Sequence, residues 1–512
     1  LNPLWQKIKQ TAIHSADKIA LQGDNISLNY GQLFATIEAF SSSHLVDSGS
    51  QHTYAVLLDN HPAWAVIDLA LLFNKQCSVP LPRFFSVEQL IHSLQDSQAD
   101  FLLMDDAEVN AELLKKLSNQ VLARKNIKVA GKKLTLLHLN SSLKEKNNLA
   151  DIVKITYTSG TTDKPKGVLL SESAIMQKVM TLAVAGEVTD KDVCLSILPL
   201  STLLENIGGL YVPLYCSATA TLLSSESIGL SGSSQLNQQQ LLSVIVNYQP
   251  SAFVIIPQLL LLLVSACAKG YQLPSRIRFI AMGGAPISIQ VLKQAEKLNI
   301  PVYEGYGLSE AVSVVTVNSP SLHRLGSVGK VLPNHQLKLA ADNEILVTGE
   351  LFSGYLGLPA QQQQYYATGD IGHLDDDGFL YITGRKKNII NTSFGRNVSP
   401  EWLEKELEAI PEIAQCVVYG HARPCLIAII VLRTELEHQL RSIQQLDEAL
   451  EKLNQQLPDY ARIVDYILVD NAFSLKNKQL TGTGRPRRET IYQLYQQSLE
   501  QTYELLAAKK II

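Results

Sequence analysis

Short apolar, β-branched runs alternate along most of the chain with longer stretches whose apolar positions recur at helical spacing. TYAVLLD, from Thr53, reads as a strand and is followed by the helical run HPAWAVIDLALLFN. DVCLSILPL leads to LLENIGGLYVPLYC, and IRFIAMGG leads to ISIQVLKQAEKLN. This alternation predicts a large N-terminal α/β domain with buried sheets. The most apolar stretch, FVIIPQLLLLLVSACA, spans Phe253 to Ala268. Pro257 is suited to a first helical position, so the stretch reads as a strand followed by a buried helix, too short to span a membrane. The N-terminal LNPLWQKIKQTAIHSADKIAL lacks the continuous apolar core of a signal peptide and reads as an amphipathic helix.

From Asn343 the pattern changes to short strands and tight turns, with DDDGF as a hairpin signal. Beyond GRKKN lie a helix (PEWLEKELEAI), two strands (QCVVYG and CLIAIIVL) and a charged helical region. These predict a small, mobile α+β C-terminal domain. The expected division is residues 1–385 and 386–512, and the short link permits rotation.

Composition narrows the function classes. The chain has 512 residues, 46% of them hydrophobic, with 44 basic against 48 acidic side chains and a formal charge of -4. That balance argues against a generally cationic surface for nucleic acid or membrane. The six cysteines form no CxxC, which suits a reduced, cytoplasmic protein. The histidines show no metal spacing, and no GxSxG is present to place a serine nucleophile.

The candidate chemistry lies in loops. YTSGTTDKPKG, Tyr157 to Gly167, follows the strand-like IVKIT. Its backbone N–H groups and the hydroxyls of Thr158, Ser159, Thr161 and Thr162, with Gly160 between them, suit phosphate oxygens. Lys164 and Lys166 add positive charge. It is not a Walker A loop, because Val168 follows Gly167. A solvated polar turn is the plainer alternative. AMGGAPI carries Gly283, Gly284 and Ala285 between a strand and a helix, where backbone can approach a flat ligand. In YEGYGLSE, Tyr306 suits packing on a base, Ser309 a phosphate and Glu310 a magnesium ion. Asp370 in YATGD can accept two ribose hydroxyls, and Arg385 in GRKKNII can reach ribose or phosphate. The last two can equally form a simple ion pair.

Together YTSGTTDKPKG, AMGGAP, YGLSE, YATGD and GRKKNII resemble the adenylate-forming (AMP-binding) superfamily, over nearly the whole chain and in the same order. LPLSTLLEN and VYGHARPCLIAIIV resemble its fatty acyl-CoA synthetases in particular. The resemblance implies an ATP-dependent, Mg2+-dependent ligase. A fatty or aryl acid becomes an acyl-adenylate with release of pyrophosphate. A thiol of CoA, or of a carrier-protein phosphopantetheine, then displaces AMP. It assigns Thr158, Ser159, Gly160, Thr161, Thr162 and Lys166 to the phosphate loop, Tyr306 to adenine and Glu310 to magnesium. Ser309 replaces the usual threonine. Asp370 and Arg385 take the ribose, Gly283, Gly284 and Ala285 the loop between nucleotide and acyl pocket, Lys387 the hinge, and Gly395 the thioester-forming face.

One position departs from the family. Its catalytic lysine falls on Arg485 in LTGTGRPRRET, which replaces a compact ammonium by a planar fork. Three readings stand: Arg485 does the lysine's work, Lys476 or Lys478 substitutes, or adenylation is slow. Amino-acid-activating relatives place an aspartate near the start of the 198–206 segment. Here the segment offers Leu200 and no acid before Glu205, which disfavours a buried ammonium and favours an apolar acid. A nucleotide-binding scaffold and a luciferase-type oxidoreductase are the competing classes.

Overall fold

The computed structural model describes residues 2–45, 51–105, 108–140, 149–158, 165–231, 235–359, 364–433, 439–481 and 484–509. Two large sheets organise the N-terminal α/β part. In the nine-stranded sheet, Ile19–Gln22, Thr219–Leu222, Val193–Ser196, Ala252–Ile255, Phe279–Met282 and Val302–Leu308 run parallel in that spatial order. The eight-stranded sheet has a parallel centre of Phe101–Met104, Thr53–Leu57, Cys77–Pro80 and Ile152–Thr158. Antiparallel strands extend both its edges, among them Lys166–Ser171.

The strand–helix pairs expected from Thr53 and from Ile277 form as read. Helix Pro62–Phe73 has proline in its first turn and buries eleven of its twelve residues. A helix apolar all round must be enclosed on every side. It lies in a core shared with helices Pro3–His14, Tyr30–His44 and Glu172–Ala185. Pro257 opens helix Pro257–Ala268 as expected. Among the described residues, no helix is long and apolar enough to cross a membrane.

The segment after Val193–Ser196 differs from expectation. The sequence reads as one continuous helix, but only Leu203–Glu205 and Val212–Tyr215 are α-helical. Between them Asn206–Tyr211 is a π-helical turn. Such a turn widens the helix by one residue and alters which side chains share a face.

Charged residues inside these apolar elements explain part of the arrangement. Lys154, in the strand Ile152–Thr158, reaches both oxygens of Asp68 at 2.8 and 2.9 Å. It also donates to Asn206 at 2.6 Å and to Tyr211 at 3.0 Å, and Ser78 donates to Asp68 at 2.9 Å. Burial pushes the Lys154 ammonium pKa down, and Asp68 opposes that shift. The network ties the π turn, through helix Pro62–Phe73, to the strand that enters the 159–164 loop.

A four-stranded antiparallel sheet follows, of His335–Leu339, Glu344–Gly349, Tyr366–Leu374 and Leu380–Arg385. The short helix Lys386–Asn388 leads out of it. In the smaller C-terminal part, Leu426–Leu432 is the central strand, flanked by Ile413–Tyr419 and Ile463–Leu468. Its two faces contribute to two separate cores, one covered by Pro400–Glu408 and Gln439–Gln456, the other by Arg488–Ala508.

Removing one partner of the buried network leaves an uncompensated charge. Lys154→Met is therefore expected to cost about 3 kcal/mol of unfolding free energy, read as a lower urea midpoint at unchanged slope. An unchanged midpoint would contradict this role.

Candidate active site

Asp370 and Arg385 are cross-strand partners on the adjacent strands Tyr366–Leu374 and Leu380–Arg385. Arg385 Nε lies 2.6 Å from Asp370 Oδ1. The Tyr306 hydroxyl donates to Asp370 Oδ2 at 2.7 Å. Burial, then the Asp370 charge, push the Tyr306 phenol pKa far up, so it remains a donor. Thr368 Oγ1 accepts the Asp370 N–H at 3.1 Å. Arg385 and Tyr306 thus orient the carboxylate, while Thr368 fixes the backbone that carries it.

Glu310 sits in the short turn Ser309–Ala311 that follows the strand carrying Tyr306. The Tyr355 hydroxyl donates to Glu310 Oε1 at 2.6 Å, and the Tyr355 and Tyr366 hydroxyls are 3.2 Å apart. Among the described residues, the second Glu310 oxygen has no hydrogen-bond partner. Lys166 Nζ lies 5.4 Å from the centre of the Tyr355 ring, on the Glu310 side of the site. Tyr366 feels the charges of Glu310, Arg385 and Asp370, which makes these groups one electrostatic neighbourhood.

The loop of Gly283, Gly284 and Ala285 leaves the strand Phe279–Met282. Gly283 N–H donates to Ile255 at 3.2 Å, and Gly284 has φ +92°, a conformation that a side chain rarely permits. The carbonyl so turned out accepts two bonds from Arg485, from Nε at 3.2 Å and Nη2 at 2.8 Å. A residue 201 positions away therefore reaches the loop. Arg485 stands among Arg385, Asp370 and Tyr306, and desolvation and Arg385 lower its pKa. Lys387 is lowered by burial, then by Arg385 and Arg485. Helix Pro400–Glu408 closes on the same region, where Ser288 donates to Glu406 at 2.9 Å.

The structure thus brings together Lys166, Tyr306, Glu310, Asp370, Arg385, Gly284 and Arg485. Thr158 ends its strand opposite Lys166, and Ser309 and Ala285 are half-buried beside Glu310 and Gly284. Ser159, Gly160, Thr161 and Thr162 lie outside the described residues. Lys476 and Lys478 are exposed. Gly395 sits in a separate turn, where a Cβ would meet no atom within 4 Å. Sequence reasoning missed Tyr355, whose hydroxyl donates to Glu310, and Tyr366, whose hydroxyl meets that of Tyr355.

It also missed the role of Glu205. Glu205 Oε2 accepts the Leu198 N–H at 3.2 Å, while Asn60 accepts from Leu200 N–H at 2.8 Å and donates to the Leu198 carbonyl at 2.9 Å. The two side chains brace the 198–203 turn. Leu204, beside Glu205, borders Gly283, its Cδ2 lying 3.9 Å from where a Gly283 Cβ would stand. A Cβ at Gly209 would collide with the Glu205 carboxyl, so the adjacent Gly208-Gly209 pair was the available sequence signal.

Comparisons with known proteins identify the family and the fold. Residues 8–356 match the model of the AMP-binding enzyme family, and residues 387–507 match the AMP-binding enzyme C-terminal domain. A long-chain-fatty-acid–CoA ligase of Mycobacterium bovis is 26% identical over 537 aligned residues, 86% of each chain. The o-succinylbenzoate CoA synthetase of Bacillus subtilis in complex with its acyl-adenylate intermediate aligns with TM-score 0.73 at 23% identity, over 96% of this chain and 97% of that one. The same enzyme in complex with ATP and magnesium ion aligns with TM-score 0.73 at 22% identity, over 95% and 98%. The structural likenesses establish the fold.

Burial raises the Glu205 pKa from 4.5 to about 8. The folded chain therefore holds this proton where the unfolded chain has lost it. Its stabilising contribution is complete below pH 4.5 and disappears as pH rises to about 8. Glu205→Gln is expected to flatten the fall of the urea midpoint across that window. Parallel pH profiles for the two proteins would contradict it.

Proposed function

The chain belongs to the AMP-binding enzyme family, and from that premise we propose that the acid it activates is a fatty acid and that its acceptor thiol is coenzyme A. The coarser activity is that of an AMP-forming acid–thiol ligase, using ATP and Mg2+. A carboxylate oxygen bonds to the α-phosphorus of ATP and the bond to pyrophosphate breaks. The thiol then adds to the acyl carbon, and AMP leaves.

The observation that carries the site assignment is the approach of Arg485 to the Gly284 carbonyl, beside Asp370 and Arg385. Attack of one anion on another needs positive charge at the transferring phosphorus. Arg485, Arg385 and Lys387 would supply it from the C-terminal side and Lys166 from the phosphate loop. Asp370 would accept the ribose hydroxyls, and the Tyr306 ring would lie against adenine. Magnesium takes oxygen ligands from one or two carboxylates together with substrate phosphates. Glu310, held at one oxygen by Tyr355 and carrying a second without a partner among the described residues, fits that need. The bound ion would neutralise charge on the phosphates.

Support for an apolar acid comes from the 198–206 turn. Leu200 is buried, and Leu204 borders the Gly283 loop. No carboxylate precedes Glu205 in that turn, and burial keeps Glu205 protonated up to about pH 8. An α-ammonium would find no anionic partner there. The similarity to a long-chain-fatty-acid–CoA ligase points the same way. We place the domain division at residues 385 and 386, with Lys387 as the hinge and Gly395 giving the slim pantetheine arm room.

The test is pyrophosphate release over a panel of fatty, aryl and amino acids, with ATP, Mg2+ and CoA each omitted in turn. Fatty acids are expected to give the highest kcat/KM, and Asp370→Asn to raise KM for ATP at least about tenfold while leaving KM for the acid unchanged. Preference for aryl or amino acids would overturn the substrate assignment. Absence of any ATP-dependent turnover would overturn the site assignment.

A further inference from the structure

Strands Val121–Val129 and Lys132–Leu139 form a hairpin, and Val121–Val129 is the edge strand of the eight-stranded sheet. Residues 121–140 contain Arg124, Lys125, Lys128, Lys132 and Lys133 and no aspartate or glutamate. The whole-chain charge of -4 makes this a local exception. Lys132 lies 3.6 Å from Asp105. Among the described residues, no carboxylate forms an ion pair with Arg124, Lys125, Lys128 or Lys133.

Edge strands are commonly protected by charge, and lysine serves well. Protection alone does not require a single sign, and it does not explain the pairing seen here. Lys128 lies directly opposite Lys133, an arrangement that like charges disfavour. An external anion relieves that repulsion. Meanwhile Ile127, Val129, Leu134 and Leu136 are buried in the main core, so the hairpin is fixed to the molecule. Its outer part is exposed, and Leu122 projects at 60% exposure beside Arg124 and Lys125.

The nature of the anion follows from what accompanies the cations. Single-stranded nucleic acid is held by aromatic side chains on which bases stack. Residues 121–140 have no Phe, Tyr or Trp, and the ring of His138 is stacked on Phe101. Flexible cationic side chains, with an exposed aliphatic one on the same strand, suit a lipid surface instead, where the stems lie along apolar groups and the ammonium groups meet headgroup phosphates. We propose that the hairpin of residues 121–139 is a docking surface for an anionic lipid bilayer. The surface is independent of which acid the ligase activates. A bilayer contact would nonetheless bring the enzyme to a reservoir of sparingly soluble acids.

The test is flotation of the full chain with vesicles of equal parts phosphatidylglycerol and phosphatidylcholine, against vesicles of phosphatidylcholine alone. Binding is expected only to the anionic vesicles, with release at about 0.5 M salt. The triple variant Lys125→Glu, Lys128→Glu, Lys133→Glu should reduce the bound fraction at least about tenfold. Pyrophosphate release with a water-soluble acid should be unchanged in that variant. The corresponding triple Lys→Gln variant, which introduces no new charge, should weaken binding to a smaller extent. Failure of the unmodified chain to float, equal binding to neutral vesicles, or undiminished binding by both variants would overturn the proposal. So would binding of a structured RNA in the same buffer without binding of vesicles.

Discussion

Arg385, Lys387 and Arg485 converge on a region whose nearest carboxylate is Asp370, and their mutual repulsion helps lower the pKa of both Lys387 and Arg485. Asp370 is already committed, with Arg385 at one oxygen and Tyr306 at the other. The excess positive charge therefore has no full compensation within this cluster. Arg385 is half-buried and Lys387 and Arg485 are exposed, so water screens part of that imbalance. A polyphosphate relieves it, and so does a substrate carboxylate. Under the proposed function, an anion bound there would favour the seating of Arg485 on the Gly284 carbonyl, and linkage makes that effect reciprocal. The rest of the site can be understood as the framework that holds these cations in place.

That framework is rigid where it meets the nucleotide loops. The Lys154–Asp68 pair joins the strand Ile152–Thr158 to the helix Pro62–Phe73 in the core, and through Asn206 and Tyr211 to the π turn. Glu205 and Asn60 then fix the turn before it. One set of hydrogen bonds thus ties the strand Ile152–Thr158 to the π turn, and a second braces the neighbouring turn whose Leu204 borders Gly283. A buried pair of this kind adds little net stability, but losing one partner is expensive. Its value here lies in fixing the strand Ile152–Thr158 relative to the π turn.

Much of this was legible in the sequence because the local signals agree with the global fold. The alternation of apolar runs, Pro257 at a helix start and the turn in DDDGF each specify an element by short-range physics. Lys154 in IVKIT and Asp68 in AVIDLAL were also visible as lone charges in apolar runs, but nothing local said that they pair across 86 residues. The π turn escaped because apolar spacing does not separate π from α geometry over six residues. Tyr355 and Tyr366 support Glu310 only through tertiary contact. The reach of Arg485 to Gly284 depends on how two parts of the chain pack, which no motif encodes. The cationic hairpin reads locally as a protected sheet edge, and only the register places Lys128 against Lys133.

The central claim is that Arg485, at the position where the family resemblance implies a lysine, supplies charge to the adenylation step. The most direct measurement is single-turnover kinetics of the two half-reactions in Arg485→Ala. Pyrophosphate release should fall at least about a hundredfold. Thioester formation from supplied acyl-adenylate should change by less than about threefold. Equal loss in both half-reactions, or adenylation at the unmodified rate, would contradict the account.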